Sequence, residues 1–532
     1  MKPYPYYETA RLGTLRELVD WTSEHNGENT AFIYTVKKLR MEVTYTHFRK
    51  DVRTLAKHIS SMDSRYGHIA LLGENSYMWI VSYFAVTYTG KTVVPLDKDM
   101  PKDEVGQRLC DSDSDVILLS DTYKDYSDIC EGAGARVLLL SHAKELIEDT
   151  KDEDAKDEDT ENQFFPKPSP ETLASIVFTS GTTGKPKGVM LTHGNFASDL
   201  WGSCCLVKLE SGGLLLLPLH HTFGLVAGVF APLMLNKSIY INQSLRNISS
   251  DLLTAKPQYI FAVPLLIDTL QRNILSNAKK QNKEKMLRRT IALSNALRKL
   301  HIDIRRRLFR SVLDALGGKL SLLISGGAPI EQRNIDFFES IGVRVLNGYG
   351  ITECSPIVAV NRNGFSVPGS VGPLIPCNRV KIGEDGEILV CGDNVMSGYY
   401  KNEEATRECL TDGWFHTGDL GRLDEYGALH ITGRKKNLII LSNGENISAE
   451  EIESAVISEA DYVREVIAYG TPEGIEIECY LDPEIPDAKE RINEDIARIN
   501  RELVVNKRIS SVKLRDIEFP KTTTKKIIRE KR

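Results

Sequence analysis

The densest concentration of phosphate-handling groups is Thr179-Ser180-Gly181-Thr182-Thr183-Gly184-Lys185-Pro186-Lys187-Gly188-Val189. Hydroxyl donors, glycines that leave backbone N–H groups unhindered, and two ammonium groups together suit a polyphosphate. A Walker A loop is excluded: that pattern needs Ser or Thr after its Gly-Lys, whereas Lys185 is followed by Pro186. The plain alternative is a polar hairpin. Further along, the apolar run Leu215-Leu216-Leu217 ends in His220-His221, which on their own read as hydrogen-bonded groups at a strand end. Leu322-Leu323-Ile324-Ser325 runs into Gly326-Gly327-Ala328. In Asn347-Gly348-Tyr349-Gly350-Ile351-Thr352-Glu353, a tyrosine between glycines presents a bare ring for a purine to stack on. The carboxylate four residues later suits magnesium, although a turn and a helix cap would read the same way. Asp419, in Asp412-Gly413-Trp414-Phe415-His416-Thr417-Gly418-Asp419, is a good bidentate acceptor for two hydroxyls, or a simple turn aspartate.

The elements that must position these groups are legible from periodicity. Ile176-Val177-Phe178 and Val189-Met190-Leu191-Thr192 read as strands flanking the first loop. Upstream, a helix from Thr44 through Ile59, a strand at His68–Leu72, a helix capped by Asn75-Ser76 and running to Tyr88, and a strand over Gly90–Leu96 alternate. Strands at Val116–Leu119 and Val137–Leu140 extend the pattern, which predicts a parallel sheet flanked by helices. Ile335, Phe338 and Ile341 line one face of a helix closed by Gly342. Ser448 with Glu451 reads as a capping box before an amphipathic helix. No short internal repeat is present, which excludes a solenoid.

In this order the motifs resemble the adenylate-forming superfamily of acyl-CoA synthetases, peptide-synthetase adenylation domains and luciferases. Three more strings carry the resemblance: Gly433-Arg434-Lys435-Lys436, the loop Ser442 to Ser448 around Gly444, and the terminal Pro520-Lys521-Thr522-Thr523-Thr524-Lys525-Lys526-Ile527-Ile528-Arg529. The resemblance implies an α/β fold. A large amino-terminal domain of several subdomains, with parallel and mixed sheets, spans residues 1–433; a small mobile α+β domain spans 434–532. It implies that Thr179, Ser180, Gly181, Thr182, Thr183, Gly184, Lys185 and Lys187 hold ATP phosphates. Gly326, Gly327 and Ala328 then bind the cofactor, and Asn347, Gly348, Tyr349 and Gly350 form the adenine site. Glu353, with Thr352 beside it, serves catalysis and holds Mg2+. Asp419 and Arg434 position the nucleotide, Lys436 is the hinge, and Gly444 lies on the pantetheine path of coenzyme A. His221, counted with the catalytic residues, borders the acyl and pantetheine channels, and Lys526 is the catalytic lysine. Lys525 stands where that family usually has glycine, which bears on how Lys526 reaches the site.

Domains of that family that activate amino acids carry an aspartate near His221. Thr222 and Phe223 stand here, where an ammonium would be buried unpaired. The expected substrate is therefore a carboxylic acid without one, a medium- or long-chain fatty acid, passed to CoA. Residues around Trp201, Val263, Gly326 and Ile351 are expected in the acyl pocket. Two other readings stay open: a ligase loading an acyl or aryl acid onto an acyl carrier protein, and a non-catalytic nucleotide-binding homologue.

Composition is ordinary for a soluble globular protein, with 41% hydrophobic and 26% charged residues over 532 positions. Nine cysteines without Cys-x-x-Cys spacing, no apolar leader and no run of about 20 apolar residues point to a reduced, cytoplasmic protein without structural zinc. The net charge of -6 hides two blocks. Nine carboxylates and two lysines crowd Glu148 to Glu161, which reads as a disordered surface loop. Thirteen Lys or Arg against Glu284 and Asp303 fill Arg272 to Arg310, with apolar residues at helical spacing. One or two amphipathic helices with a solvated face are the reading; weak contact with an anionic membrane surface or a CoA phosphate is the alternative. Nucleic acid is disfavoured, since Phe309 is the only interleaved aromatic.

Overall fold

The computed structural model describes residues 5–149, 165–179, 186–242, 244–440, 446–471, 473–521 and 527–529. Most of the acidic block, from residue 150 to 161, therefore lies outside the described residues.

The helix Tyr77–Tyr88 sits at the centre. The Ser76 hydroxyl accepts the Trp79 N–H at 3.2 Å to start it, and every residue but Met78 is buried. A helix apolar on all sides must be enclosed. Its core joins Phe32 and Ile239 of one sheet to Ile69 and Val93 of another. In the second of these, parallel strands Arg136–Leu139, Val116–Leu119, His68–Leu72, Thr92–Leu96 and Leu173–Thr179 lie side by side. Lys187–Thr192 and then Gly398–Tyr399 extend that sheet antiparallel. The parallel sheet read from the alternation is present, and its antiparallel margin is the hairpin around the first loop.

The other large sheet orders Ile357–Val360, Arg344–Gly350, Leu322–Ser325, Tyr259–Ala262, Gly213–Leu215, Ile239–Ile241, Thr30–Val36 and Leu39–Thr44. Its middle is parallel and both outer pairs are antiparallel. The Asn347–Gly350 stretch is thus the end of a strand rather than a turn. An antiparallel sheet of Asn378–Ile382, Glu387–Gly392, Trp414–Leu423, Leu410–Thr411 and Leu429–Arg434 follows. Asp419 lies inside one of its strands, not in a simple turn.

Beyond it, Val463–Thr471, Gly474–Leu481 and Ile509–Arg515 form a small sheet against helices Ala449–Glu459 and Ala488–Glu502. This region has its own apolar cluster, built only from residues between Ile439 and Val512. The architecture is α/β, with large mixed sheets followed by a small α+β region, as expected.

One local reading needs correction. Ser448 does cap its helix, accepting the Glu451 N–H at 3.3 Å, but the reciprocal half of the box is absent. The Glu451 carboxylate instead holds the Lys507 ammonium at 2.6 and 2.8 Å. A complete box occurs at Thr192 and Asn195, where an amide replaces the usual Glu or Gln. The basic block forms helices Pro264–Lys280 and Glu284–Lys299, then the short turns Arg305–Leu308 and Arg310–Ala315. No helix among the described residues is long and apolar enough to cross a membrane. All nine cysteines are unpaired thiols.

Candidate active site

Strand ends from both large sheets and the antiparallel sheet converge on one cleft of about 3810 Å³. Each predicted site residue within the described set lines it, from Thr179 and Lys187 at the loop base to Arg434 and Lys436 opposite. Ser180, Gly181, Thr182, Thr183, Gly184, Lys185, Gly444 and Lys526 lie outside the described residues.

Thr179 and Lys187 are register partners at the end of the hairpin. The Lys187 ammonium stands 4.9 Å over the Tyr399 ring, and the Tyr399 hydroxyl donates to Glu353 Oε1 at 2.9 Å. Burial, together with the Glu353 charge, pushes the Tyr399 phenol far up, so it remains a donor. Nothing in the sequence points to Tyr399. It lies 46 residues from Glu353 and arrives because its two-residue strand pairs with Val189 and Met190. Among the described residues Oε2 of Glu353 takes no hydrogen bond. A single carboxylate with one free oxygen fits Mg2+, which keeps most of its waters and binds through one or two carboxylates plus phosphates.

Tyr349 closes the strand Arg344–Gly350, and its hydroxyl donates to Asp419 Oδ2 at 2.7 Å. Arg434 meets Asp419 Oδ1 at 2.8 Å because the two are register partners in the antiparallel sheet. Asp419 is only 3% exposed. An ionised carboxylate has about four acceptor positions, so both contacts leave room for a vicinal diol. Burial and the Asp419 charge raise the Tyr349 phenol well above its ordinary value. Gly350 permits a close approach: a Cβ there would lie 2.0 Å from the Pro356 carbonyl oxygen.

A second arm of the cleft is apolar. Val207, Leu209, Leu217, Phe223, Phe261 and Val263 line it. A Cβ on Gly326 would come within 2.9 Å of the Phe223 ring, so this glycine lets the ring lie against the backbone. Val263, Gly326 and Ile351 line the cleft as expected, but Trp201 does not. Its ring is packed under the Arg11 guanidinium at 4.3 Å. Helix His193–Cys204 has no exposed face, and it turns Ser203 and Cys204 toward the cleft in place of Trp201. His221 lines the cleft beside His220, their rings 4.1 Å apart. His220 is buried 3.5 Å from Asp97; burial lowers its pKa and Asp97 opposes the shift.

The facing wall comes from residues after Arg434. Partial burial and the neighbouring Arg434 cation lower the Lys436 ammonium pKa. Glu450 accepts from the Arg434 N–H at 3.4 Å and from Asn437 Nδ2 at 2.5 Å. Glu453 accepts from the Ala468 N–H at 2.7 Å and from Arg529 Nη2 at 2.5 Å. Burial raises the Glu453 carboxyl to about 7 against those partners.

Residues 19–400 match the family described as AMP-binding enzyme. A long-chain-fatty-acid–CoA ligase of Mycobacterium bovis is 30% identical over 442 residues, covering 77% of this chain and 72% of that one. ATP-bound MatB from Rhodopseudomonas palustris superposes with a TM-score of 0.76 at 22% identity, over 96% of both chains. o-Succinylbenzoate CoA synthetase from Bacillus subtilis, bound to its acyl-adenylate, gives 0.76 at 22% identity, over 98% of this chain and 97% of that one. At such identities the two structures speak to the fold alone.

Proposed function

We infer, for a chain that belongs to the AMP-binding enzyme family and is an AMP-forming CoA ligase of it, that the acid it activates is a medium- or long-chain fatty acid. The observation that carries this reading is the apolar arm of Phe223, Phe261 and Val263 opening off the same cleft as Tyr349, Glu353 and Asp419. An alkyl chain gains roughly 0.8 kcal/mol for each buried methylene there, whereas Thr222 and Phe223 offer an ammonium no counter-ion.

In the first half-reaction a carboxylate oxygen of the acid attacks the α-phosphorus of ATP. An acyl–O–P bond forms, the bond to the bridging oxygen breaks, and pyrophosphate leaves. Preorganised positive groups favour the charge that develops. Lys187 at the loop base, the rest of the loop, and Lys526 supply them on this reading. Glu353, fixed by Tyr399, would hold the magnesium ion, which when bound neutralises phosphate charge. Tyr349, Asp419 and Arg434 orient the nucleotide, with Thr352, Asn347, Gly348 and the Gly326-Gly327-Ala328 turn shaping its surroundings. Orientation contributes by converting encounter into a near-attack arrangement. In the second half-reaction the CoA thiol loses its proton, its sulfur attacks the acyl carbonyl, and AMP leaves. The division at residues 433 and 434, rotation about Lys436, and a pantetheine path past Gly444 and His221 belong to this proposal.

The deciding measurement is pyrophosphate release with ATP and magnesium across straight-chain fatty acids and aryl acids, each with and without CoA, with products identified by mass. Thioester from the longer alkyl acids is expected. Adenylate that forms but reaches only a holo carrier protein would replace the CoA reading, and turnover confined to aryl acids would refute the alkyl arm. Gly326→Ala should displace the Phe223 ring into the arm and lower kcat/KM about tenfold for the longest acids while sparing short ones.

A further inference from the structure

The basic segment carries a feature that neither folding nor the cleft uses. Helix Glu284–Lys299 turns Leu287 and Ser294 inward, and the Ser294 hydroxyl donates to the Ser340 carbonyl at 3.0 Å. A second stripe faces outward: Met286, Leu293 and Leu300, seven residues apart, are 60%, 52% and 68% exposed. Seven residues are about two helical turns, so the three stand in one row. Ile302 and Ile304, in the stretch that follows the helix, are 47% and 37% exposed. Single exposed apolar residues are normal, but five within 19 positions form a patch.

Cations flank the patch. Lys279, Lys280, Lys285, Arg289, Lys299 and Arg307 are exposed, and among the described residues none has an ion-pair partner. By contrast, Arg272, Arg288, Arg298, Arg305 and Arg310 are each engaged with a carboxylate. The patch is therefore apolar along its ridge and positively charged beside it.

We propose that this face docks on an anionic lipid surface, with Met286, Leu293 and Leu300 entering the headgroup boundary and the six cations held by lipid phosphates. An amphipathic helix lying in the interface has this arrangement, and juxtaposed Lys and Arg add attraction to acidic lipids. A protein partner fits less well, because lysines are depleted from the centres of protein interfaces whereas they border this ridge closely. The position supports a lipid as well. Helix Pro264–Lys280 begins at the cleft, where Pro264, Leu265 and Leu266 line the wall, and ends at Lys279 and Lys280 beside the docking helix. A docked molecule thus has its cleft one helix length from the bilayer. Docking stands independently of the acid activated; only its use, taking a bilayer-dissolved acid into the cleft, rests on the fatty-acid reading.

The test is co-sedimentation of the full chain with phosphatidylcholine vesicles, with and without about one third phosphatidylglycerol, at about 0.1 M and 0.5 M salt. Binding to the anionic vesicles, weakened at least fivefold by the higher salt, is expected. Leu293→Ser with Leu300→Ser, and separately Lys285→Glu with Arg289→Glu and Lys299→Glu, should each lower the bound fraction about tenfold. Their turnover of a water-soluble short acid should not change. A single Leu293→Trp substitution gives a second readout, a blue shift of its emission on adding anionic vesicles. Absence of binding, binding indifferent to both sets of substitutions, or an unshifted emission from the introduced indole would each overturn the proposal. So would a dimer in solution that the serine pair abolishes, since the face would then be covered by a second copy. Vesicle binding by a chain that activates no fatty acid would leave the docking face standing and remove the fatty-acid reading.

Discussion

The two walls of the cleft are built differently. On one side Tyr349, Asp419, Arg434 and Glu353 are fixed by strands that share the large sheets' cores, with Asp419 satisfied by partners 70 and 15 positions away. On the other, the residues after Arg434 belong to a region with its own apolar cluster, and its polar groups mostly hold one another, as Glu453 holds Ala468 and Arg529. Contacts back to the large body include the Lys435 ammonium held by Asp385 at 2.6 Å and Glu387 at 3.1 Å beside the joint, the Glu450 contact with the Arg434 N–H, and a hydrogen bond of 3.5 Å from Arg333 to the Ile457 carbonyl. A shared core makes a wall rigid; a separate core joined by few polar contacts leaves a wall able to move as a unit. We propose that nucleotide recognition is assigned to the first wall and the change between half-reactions to the second.

The largest effect expected tests what the second wall brings. Lys526→Ala should lower adenylate formation by about 10²- to 10³-fold, as loss of a preorganised charge at the phosphates does. Thioester formation from a supplied acyl-adenylate should be spared. Equal loss of both steps, read by pyrophosphate release and by thioester mass, would show that another lysine acts, Lys525 being the first candidate. Next in size, Asp419→Asn keeps the shape of the first wall but removes the charge that Arg434 and Tyr349 share. We expect kcat/KM for ATP to fall about 10²-fold, from two charge-assisted hydrogen bonds weakened together. An unchanged value would mean that the first wall does not recognise the nucleotide through this carboxylate.

A smaller effect should separate the walls in time. Lys436→Pro should slow the thioester step about tenfold while leaving adenylation within about twofold, because proline fixes the backbone at the joint. Loss of adenylation alone would place the joint elsewhere.

The smallest effect is thermodynamic and of opposite sign in the two regions. His193, in the large body, accepts the Leu15 N–H on Nδ1, and burial lowers its pKa to about 4 from an ordinary 6.5. Between these values the unfolded chain takes up a proton that the folded body refuses, so the body loses stability as pH falls from 6.5 toward 4. Glu453 behaves in reverse, raised to about 7 from 4.5. Its region keeps a proton that the unfolded chain has released, and it loses stability as pH rises from 4.5 through 7. All four tryptophans, Trp21, Trp79, Trp201 and Trp414, precede the small region. Tryptophan fluorescence therefore follows the body alone, while circular dichroism follows both. Going from pH 7 to pH 5 should raise the midpoint of the second transition, and His193→Gln should shift the change in the fluorescence midpoint over the same range upward by a few degrees, since buried carboxyls of the body such as Asp199, also raised, act against His193. Glu453→Gln should remove the second shift only; parallel shifts in both regions would erase the contrast.

How far the sequence reaches varies with distance along the chain. The hairpin at Thr179 and Lys187 and the capped helix at Ser76 are local, so composition and period identified them. The Ser448 box failed halfway because Lys507, 56 residues on, competes for Glu451. The neighbourhood of Trp201 does reach the cleft, through Ser203 and Cys204, but the Trp201 ring itself lies against Arg11 instead. Tyr399, which orients Glu353, left no trace in any motif.

The sequence by itself determined which chemistry is present: hydroxyls, glycines and ammonium groups for phosphate, a tyrosine flanked by glycines, and carboxylates at Glu353 and Asp419. Those are properties of residue type and short spacing, which every conformation of the chain carries. Tertiary structure decided which groups touch. Asp419 meets Arg434 through strand register, Glu353 meets Tyr399 through an edge pairing, and Gly326 meets Phe223 through packing. Such contacts depend on how sheets assemble around the buried helix Tyr77–Tyr88, a sum of many weak burial energies that no short stretch of sequence contains.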